Sequence, residues 1–171
     1  TYDESRFSPL NDINDSNVQD LGLAWSFETG TNRGHETTPI VVDGMMFITA
    51  PWSVVFALDA KTGKELWSFD PEADKDWARN ACCDVVNRGV AVWENQVVFA
   101  TIDGRLISLD KTSGAVNWDV LTIDKSKPYT ITGAPRIIDG KIIIGNGGGE
   151  YGVRGYISAY DVQDGSMLWR F

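Results

Sequence analysis

Three stretches of the sequence repeat one pattern of residues at a fixed period. They read "ALDAKTGKELWSF", "SLDKTSGAVNWDV" and "AYDVQDGSMLWRF". In each, an aspartate is followed four residues later by glycine and four residues further on by tryptophan. The period is 51 residues both times, and the repeated positions are Asp59, Asp110 and Asp161, with Trp67, Trp118 and Trp169. A period of this size is typical of propellers and other repeat arrays.

Each repeat is interpreted as one propeller blade of four short strands. The aspartate caps a turn at the end of a strand, and the glycine provides the positive φ that closes the hairpin. In the next strand, tryptophan alternates with polar residues and therefore faces one side. Two more strand candidates precede each pattern: "TPIVV" and "MMFIT", "GVAVW" and "QVVFA", "APRII" and "KIIIG". The fold class predicted is all-β, a β-propeller, with the tryptophans docking one blade on the next.

Composition excludes several classes of function. The formal net charge is −9 and the acidic residues are scattered, so nucleic acid, which requires clustered Lys and Arg, is not an expected partner. No stretch approaches the roughly 20 apolar residues of a transmembrane segment. His35, the only histidine, lacks a partner for a nucleophile–base pair, and no chemistry is assigned to it.

The entrances of the repeats also align. "ETTPIVVDG", "RGVAVWENQ" and "TGAPRIIDG" place Glu36, Arg88 and Thr132 at equivalent positions, just before the first strand of each blade. Because that strand is normally the innermost of a propeller blade, the three side chains are expected to project around one end of the central channel. Their chemical variety favours a ligand there over a purely structural role.

Two further stretches interrupt the repeat. "DWARNACCDVVNRG" holds the only cysteines, Cys82 and Cys83, as neighbours. Consecutive Cα atoms lie about 3.8 Å apart, whereas disulfides prefer roughly 4.4–6.8 Å. From the residues alone, the pair is either two small reduced cysteines or a constrained ring kept for a purpose.

The second interruption is "GNGGGEYGVRG", residues 145–155, about seven residues longer than the turns of the other blades. Its glycines form either a flexible turn or a backbone that a flat ligand approaches closely. Glu150, which follows them, offers carboxylate oxygens of the kind that suit Ca²⁺.

Taken with the repeat, these stretches resemble the pyrroloquinoline quinone (PQQ)-dependent alcohol dehydrogenases, the methanol and ethanol dehydrogenase family. The resemblance covers the whole chain and includes "GHETTP", "ACCDVVNRG" and "IIIGNGGGEYGVRGYISAYD". The family forms an eight-bladed propeller, so the chain is expected to be its N-terminal part. The implied organisation of residues 1–171 is an N-terminal segment of about 1–35 and blades of about 36–69, 88–120 and 132–171.

The resemblance also implies roles for particular residues. Cys82 and Cys83 would form a vicinal disulfide against one face of PQQ. Glu36, Arg88 and Thr132 would bind the cofactor's rim and carboxylates, and the backbone of Gly148 and Gly149 would lie along its ring. Glu150 would bind Ca²⁺. Many family members have alanine where this chain has Gly149, which leaves open a larger lanthanide ion. The catalytic aspartate and the remaining metal ligands of the family come from later blades, so no catalytic residue is named here.

The implied function is oxidation of a small primary alcohol to an aldehyde, with electrons passed to a cytochrome c in the bacterial periplasm. On its own, the 171-residue chain is expected to be inactive. Two alternatives stay open: a non-enzymatic propeller scaffold of the outer-membrane assembly type, and a quinoprotein dehydrogenase acting on sugars or polymeric alcohols.

Overall fold

The structure, a computed structural model, describes residues 7–171, so the first six residues of the predicted N-terminal segment lie outside it. The described part contains twelve strands in three four-stranded antiparallel sheets. The first sheet comprises β1 (Ile40–Val42), β2 (Met45–Thr49), β3 (Val55–Asp59) and β4 (Glu65–Phe69). The second comprises β5 (Ala91–Trp93), β6 (Gln96–Ala100), β7 (Arg105–Asp110) and β8 (Val116–Leu121). The third comprises β9 (Arg136–Ile138), β10 (Lys141–Gly145), β11 (Ile157–Asp161) and β12 (Met167–Arg170).

Helical structure in residues 7–171 is limited to four short 3₁₀ helices: Val18–Asp20, Pro51–Ser53, Lys75–Asn80 and Gly149–Tyr151. None of the helices in this range has the length and hydropathy to span a membrane.

In every sheet the strands are neighbours in chain order, so each sheet is a meander. The first hairpins of the first and third sheets turn through Asp43–Gly44 and Asp139–Gly140, with positive φ at both residues. This combination matches the twist of the flanking strands. The predicted strands and the all-β class are confirmed, although β1 and β9 begin one residue after Pro39 and Pro135 and are shorter than predicted. Proline has no N–H for the ladder, which explains the late start.

The repeated aspartates cap turns as predicted. Asp59 Oδ1 accepts hydrogen bonds from the Thr62 N–H and hydroxyl, both at 2.8 Å, and the Gly63 N–H donates to the Asp59 carbonyl at 2.8 Å. The Thr62 hydroxyl and N–H hold the pKa of Asp59 below its ordinary value. The same arrangement recurs at Asp110, whose carboxylate accepts from Ser113 and has a lowered pKa for the same reason.

Two of the three repeated tryptophans, Trp67 and Trp118, join neighbouring sheets, which confirms the predicted docking at these positions. Trp67 Nε1 donates to the Lys111 carbonyl at 3.0 Å, and Trp118 Nε1 donates to the Val162 carbonyl at 3.1 Å. Each ring lies on the repeated glycine of the next sheet. A Cβ placed on Gly114 would stand 2.8 Å from the Trp67 ring, and one on Gly165 would stand 2.8 Å from the Trp118 ring.

The hydrophobic core lies between the sheets. One cluster joins the first and second sheets and includes Phe47, Trp67 and Phe99. Another joins the second and third sheets and includes Leu106, Ile142 and Tyr160. The second sheet is therefore covered on both faces. In the third sheet Trp169, the counterpart of the two docked tryptophans, is 45% exposed.

A third docked tryptophan precedes the first sheet and was not predicted. Trp25 Nε1 donates to the Ala60 carbonyl at 3.3 Å, and its ring lies on Gly63 in the way that Trp67 lies on Gly114. Phe27, two residues on, packs edge-on against Phe56, with ring centroids 5.2 Å apart. The sequence held a signal for this contact, because "WSF" occurs at residues 25–27 and again at 67–69.

Candidate functional site

The segments that lead into the three sheets are joined to one another by backbone hydrogen bonds, at the side where the sequence predicts one end of the central channel. The Thr38 N–H donates to the Arg88 carbonyl at 3.2 Å, and the Arg88 N–H donates to the Thr132 carbonyl at 2.9 Å. These bonds place the segments before β1, β5 and β9 side by side. The three polar residues predicted from the alignment of the repeats therefore lie on adjacent backbones.

The side chains of these residues form one cluster around Arg88. Its Nη2 lies 2.8 Å from Glu36 Oε2, and its Nη1 donates a hydrogen bond to the Thr132 hydroxyl. The Arg88 and Glu36 side chains remain 47% and 43% exposed. The planar guanidinium thus keeps accessible N–H donors, the group best suited to bind a carboxylate through two bonds. We name Glu36, Arg88 and Thr132 the channel-end cluster.

A concave opening of about 480 Å³ lies beside this cluster. It is lined by Arg88, Thr132 and backbone of the third sheet, including Gly145 and Gly147. Its volume falls within the roughly 300–1,000 Å³ of small-molecule sites. The opening combines two guanidinium groups, of Arg88 and Arg136, with the Thr132 hydroxyl and glycine backbone, a set of groups that fits a flat ligand bearing carboxylates.

The three glycines of the loop after β10 have different surroundings. Gly147 pairs with Thr130 through backbone hydrogen bonds, with its N–H 2.7 Å from the Thr130 carbonyl. Gly148 is buried with φ at 115°, and a Cβ there would stand 2.5 Å from the Pro128 carbonyl oxygen. Gly149 has no atom within 4 Å of its Cβ position. Internal packing therefore requires glycine at Gly148, whereas the space over Gly149 is open to a ligand.

Glu150 lies in the short helix Gly149–Tyr151, and it is exposed. Within residues 7–171, no group of three or more His, Cys, Asp or Glu side chains lies together in an arrangement that could hold a metal ion. A hard cation such as Ca²⁺ takes about six to eight oxygen ligands. A metal ion bound by Glu150 would therefore need oxygen ligands in addition to the His, Cys, Asp and Glu side chains of residues 7–171.

Cys82 and Cys83 form a disulfide, as the resemblance implied. The disulfide lies in the long connection between β4 and β5, directly after the helix Lys75–Asn80, and both cysteines are exposed. Trp77 in that helix is 8% exposed, and its Nε1 donates to the Tyr129 carbonyl at 2.7 Å. This bond fastens the connection to the segment that leads into the third sheet.

Asp103 fastens the same connection from the second sheet. It is 5% exposed and accepts hydrogen bonds from the Thr101 hydroxyl and, at 3.3 Å, from the Asp74 N–H. Arg105 Nε and Lys125 Nζ each lie 3.6 Å from its carboxylate oxygens. Burial opposes the charged form of Asp103, but these four partners together outweigh it and lower its pKa. The carboxylate is thus ionised inside the protein and binds the backbone at Asp74.

The structure brings together only part of the predicted set. Arg88 contacts both Glu36 and Thr132, and the glycine loop borders the same opening at Gly147. The disulfide and Glu150 stand outside the lining of this opening, on separate loops. Sequence reasoning missed the supporting residues Trp77 and Asp103. Neither belongs to the repeated pattern, so periodicity carried no signal for them.

The three sheets and their tryptophan docking define part of a β-propeller. Comparison with known proteins specifies the class. The family model described as "PQQ: Glucose/ethanol/alcohol dehydrogenase, beta-propeller domain" matches residues 1–171. The chain therefore belongs to the PQQ-dependent alcohol dehydrogenase family.

Individual relatives agree with this assignment. Quinohemoprotein alcohol dehydrogenase ADH-IIG of Pseudomonas putida is 55% identical over 172 residues, which cover 100% of this chain and 24% of that protein. The 1-butanol dehydrogenase (cytochrome c) of Thauera butanivorans is 58% identical over 163 residues, or 94% of this chain and 24% of the relative. A solved europium-containing methanol dehydrogenase superposes with a TM-score of 0.89 at 42% identity, over 94% of this chain and 28% of that one.

The chain thus spans about a quarter of the length of the curated relatives it matches. The family match and these identities favour the enzyme family over the non-enzymatic scaffold.

Proposed function

We propose that this chain is the N-terminal part of a PQQ-dependent alcohol dehydrogenase and that the channel-end cluster binds one edge of PQQ. The support is the position of Arg88, whose guanidinium is held by Glu36 and Thr132 yet stays 47% exposed beside the opening of about 480 Å³. Arg88 would pair with a cofactor carboxylate, and Thr132 would donate a hydrogen bond to it. Glu36 would orient the Arg88 guanidinium and accept a hydrogen bond from the edge of the cofactor.

The other predicted residues would complete the site from neighbouring loops. The Cys82–Cys83 ring would cover one face of PQQ, and the backbone at Gly148 and Gly149 would lie along its edge. Glu150 would be one oxygen ligand of the metal ion. The solved methanol dehydrogenase relative is europium-containing, and the open space over Gly149 agrees with either Ca²⁺ or a lanthanide ion.

Bound PQQ, with a metal ion beside it, supplies the two-electron oxidation of a primary alcohol to an aldehyde. The residues of this chain bind and orient the cofactor and exclude water from one side of it. A cytochrome c is the proposed electron acceptor, in line with the similarity to the 1-butanol dehydrogenase (cytochrome c), and the bacterial periplasm is the proposed location. The isolated 171-residue chain would bind PQQ poorly and be inactive, because the opposite face and the other metal ligands come from elsewhere.

The test is PQQ titration of the cofactor-free full-length protein, followed by alcohol-dependent dye reduction with Ca²⁺ or La³⁺. We expect Arg88→Gln to weaken PQQ binding about tenfold or more, since a charge-assisted hydrogen bond contributes about 1.5–3 kcal/mol. Lys64→Gln, which removes one exposed positive charge at the Asp59 turn, is the matched control and should leave binding unchanged. No saturable PQQ binding by the wild type, or equal binding by Arg88→Gln, would reject the proposal.

Glu150→Gln tests the metal separately. The exchange keeps the shape of the side chain and removes its charge, so we expect lower metal occupancy by elemental analysis in the full-length protein. Unchanged metal content would show that Glu150 is not a ligand.

A further inference from the structure

The residue that follows the disulfide has an unusual backbone. Asp84 adopts φ of 71°, in the left-handed region that few residues other than glycine enter. Aspartate is among those that tolerate it, because its short side chain bonds locally. Asp84 Oδ1 accepts from the N–H of Val85 at 2.8 Å and from Arg33 Nη1. The carboxylate therefore stabilises the turn by which the chain leaves Cys83.

Arg33 comes from the segment before the first sheet, 51 residues earlier in the chain. Its guanidinium carbon lies 5.7 Å from the centroid of the Trp52 ring, and Lys75 Nζ lies 4.2 Å from the same centroid. Cations at such distances from an indole are attracted to its face. Arg33 is thus held between the Trp52 ring and the Asp84 carboxylate.

Both ends of the disulfide segment are anchored to the body of the protein. After the disulfide, the Val85 carbonyl accepts from the Trp52 N–H at 2.9 Å, and Val85 itself is 1% exposed. Before it, the Ala81 N–H donates to the Ala78 carbonyl at 3.0 Å, and Trp77 is bonded to Tyr129. Cys82 and Cys83 are the exposed residues between these anchors. The orientation of their ring is therefore set by the backbone at Ala81 and Asp84.

We infer that Asp84 and Arg33 are positioning residues that fix the direction in which the Cys82–Cys83 ring faces. The inference rests on the proposed function in one respect, namely that this ring covers a face of PQQ. Arg33 and Asp84 touch neither the channel-end cluster nor its opening. Their side chains are 50% and 37% exposed, and ion pairs of that exposure add little to global stability. Their effect is local, on the disulfide segment.

The experiment uses the full-length protein with Asp84→Asn, Arg33→Gln, Arg33→Lys and the double variant Asp84→Asn/Arg33→Gln. Asparagine tolerates the left-handed backbone and keeps an oxygen for the Val85 N–H, so Asp84→Asn removes the ion pair alone. Asp139→Asn is the matched control, because Asp139 also has positive φ, at 50°, and pairs with a cation, Lys141. Two readouts are the dissociation rate of PQQ and the rate at which dithiothreitol reduces the disulfide in the cofactor-free protein.

We expect Asp84→Asn and Arg33→Gln each to raise the PQQ dissociation rate about tenfold. This is the lower end of the loss in affinity that follows when a residue supporting a binding group is removed. Reduction of the disulfide should be faster as well, while the melting temperature stays within about 2 °C of wild type. The double variant should behave like either single one, because both remove the same pair. Arg33→Lys, which keeps the charge, should restore part of the wild-type behaviour, and Asp139→Asn should change neither rate.

Rates of both kinds within twofold of wild type in Asp84→Asn and Arg33→Gln would overturn the inference, as would equal effects from Asp139→Asn. Failure of the wild-type protein to bind PQQ would instead reject the proposed function. The reduction rate of the disulfide would then still decide whether Arg33 and Asp84 hold the segment. If Asp84→Asn does not fold, Arg33→Gln, at a half-exposed side chain, decides the question.

Discussion

The tryptophan docking sites and the channel-end cluster each draw on equivalent positions of successive sheets. The docking sites repeat the same residue, whereas the channel-end cluster has a different residue at each position. Trp67 and Trp118 make the same hydrogen bond to the next sheet and lie on the same glycine. At the channel end, equivalent positions hold a carboxylate, a guanidinium and a hydroxyl. The docking sites are buried or half-buried, whereas Glu36 and Arg88 are 43% and 47% exposed.

This difference indicates that, within each repeat, the docking position serves stability and the channel-end position serves binding. Identical residues at a fixed period satisfy an identical packing requirement, so the docking sites hold the sheets together. Chemically different residues at equivalent positions have no common packing requirement to satisfy. Their variety is explained when each faces a different group of one ligand. Mutations at the two kinds of position should therefore change different measurable quantities.

The largest expected effect is on the docking side. Trp67→Ala removes a side chain that is 9% exposed together with its hydrogen bond to Lys111, and we expect a loss of about 3–5 kcal/mol in the free energy of unfolding. Trp169→Ala is the matched control in the 171-residue chain, since Trp169 is 45% exposed, and it should cost about 1 kcal/mol. Urea denaturation measures both. Equal losses would show that docking is not the source of the stability.

Gly114→Ala tests the same docking contact from the glycine that the Trp67 ring covers. Its φ is 73° and the new Cβ would stand 2.8 Å from the Trp67 ring, so the backbone cost and the clash together should reach about 3 kcal/mol. Gly44→Ala is the control, because Gly44 has φ of 77° but no atom within 4 Å, and it should cost only about 1–2 kcal/mol. If both variants melt alike, the ring contact contributes nothing.

Asp103→Asn tests the anchor of the β4–β5 connection on the second sheet. The pKa of Asp103 is lowered in the folded protein, so its charge stabilises the fold above the unfolded value of 3.8. This contribution is lost as pH falls through the folded pKa. Above about pH 5 we expect Asp103→Asn to cost about 1.5–3 kcal/mol in unfolding free energy. The difference from wild type should shrink below pH 3.8, as followed by urea denaturation across the pH range. A difference independent of pH would contradict a role for the charge.

The smallest stability effect is expected at the channel end. Arg88→Gln breaks a half-exposed ion pair, which is worth about 0–1 kcal/mol, while it should impair PQQ binding in the full-length protein. Thermal unfolding of the cofactor-free protein measures the first quantity. A loss comparable with that of Trp67→Ala would mean that Arg88 is structural and would remove the contrast between the two regions.

Periodicity made much of the fold predictable. The aspartate turns, the tryptophan docking and the order of strands within each sheet follow from a pattern visible in three copies, and the structure confirms them. The alignment of the repeats also placed Glu36, Arg88 and Thr132 at equivalent positions, and in the structure Arg88 contacts both of the others. Their roles toward PQQ came from the family resemblance and stay predictions, as do those of Gly148, Gly149 and Glu150.

The remaining contacts join residues that share no pattern. Trp77 reaches the Tyr129 carbonyl across 52 residues, and Arg33 reaches Asp84 across 51 without belonging to the repeat. Such pairs occur once, so only the three-dimensional path of the β4–β5 connection reveals them. Gly148 shows a related limit. The glycines alone left a flexible turn and a ligand equally open, and the family resemblance implied the ligand, whereas the nearby Pro128 carbonyl already excludes a Cβ at Gly148.

The docking bonds also set how much chain must be made before each docked tryptophan can reach its partner. Trp67 and Trp118 each bond a carbonyl 44 residues later, and Trp25 bonds one 35 residues later. At about 5–20 residues per second, a ribosome adds 44 residues in about 2–9 s. For that interval each newly made sheet exposes the apolar face that its successor covers. The nascent chain therefore presents one uncovered sheet at a time, and a pause in translation between repeats would prolong the exposure of that face to chaperones and to aggregation.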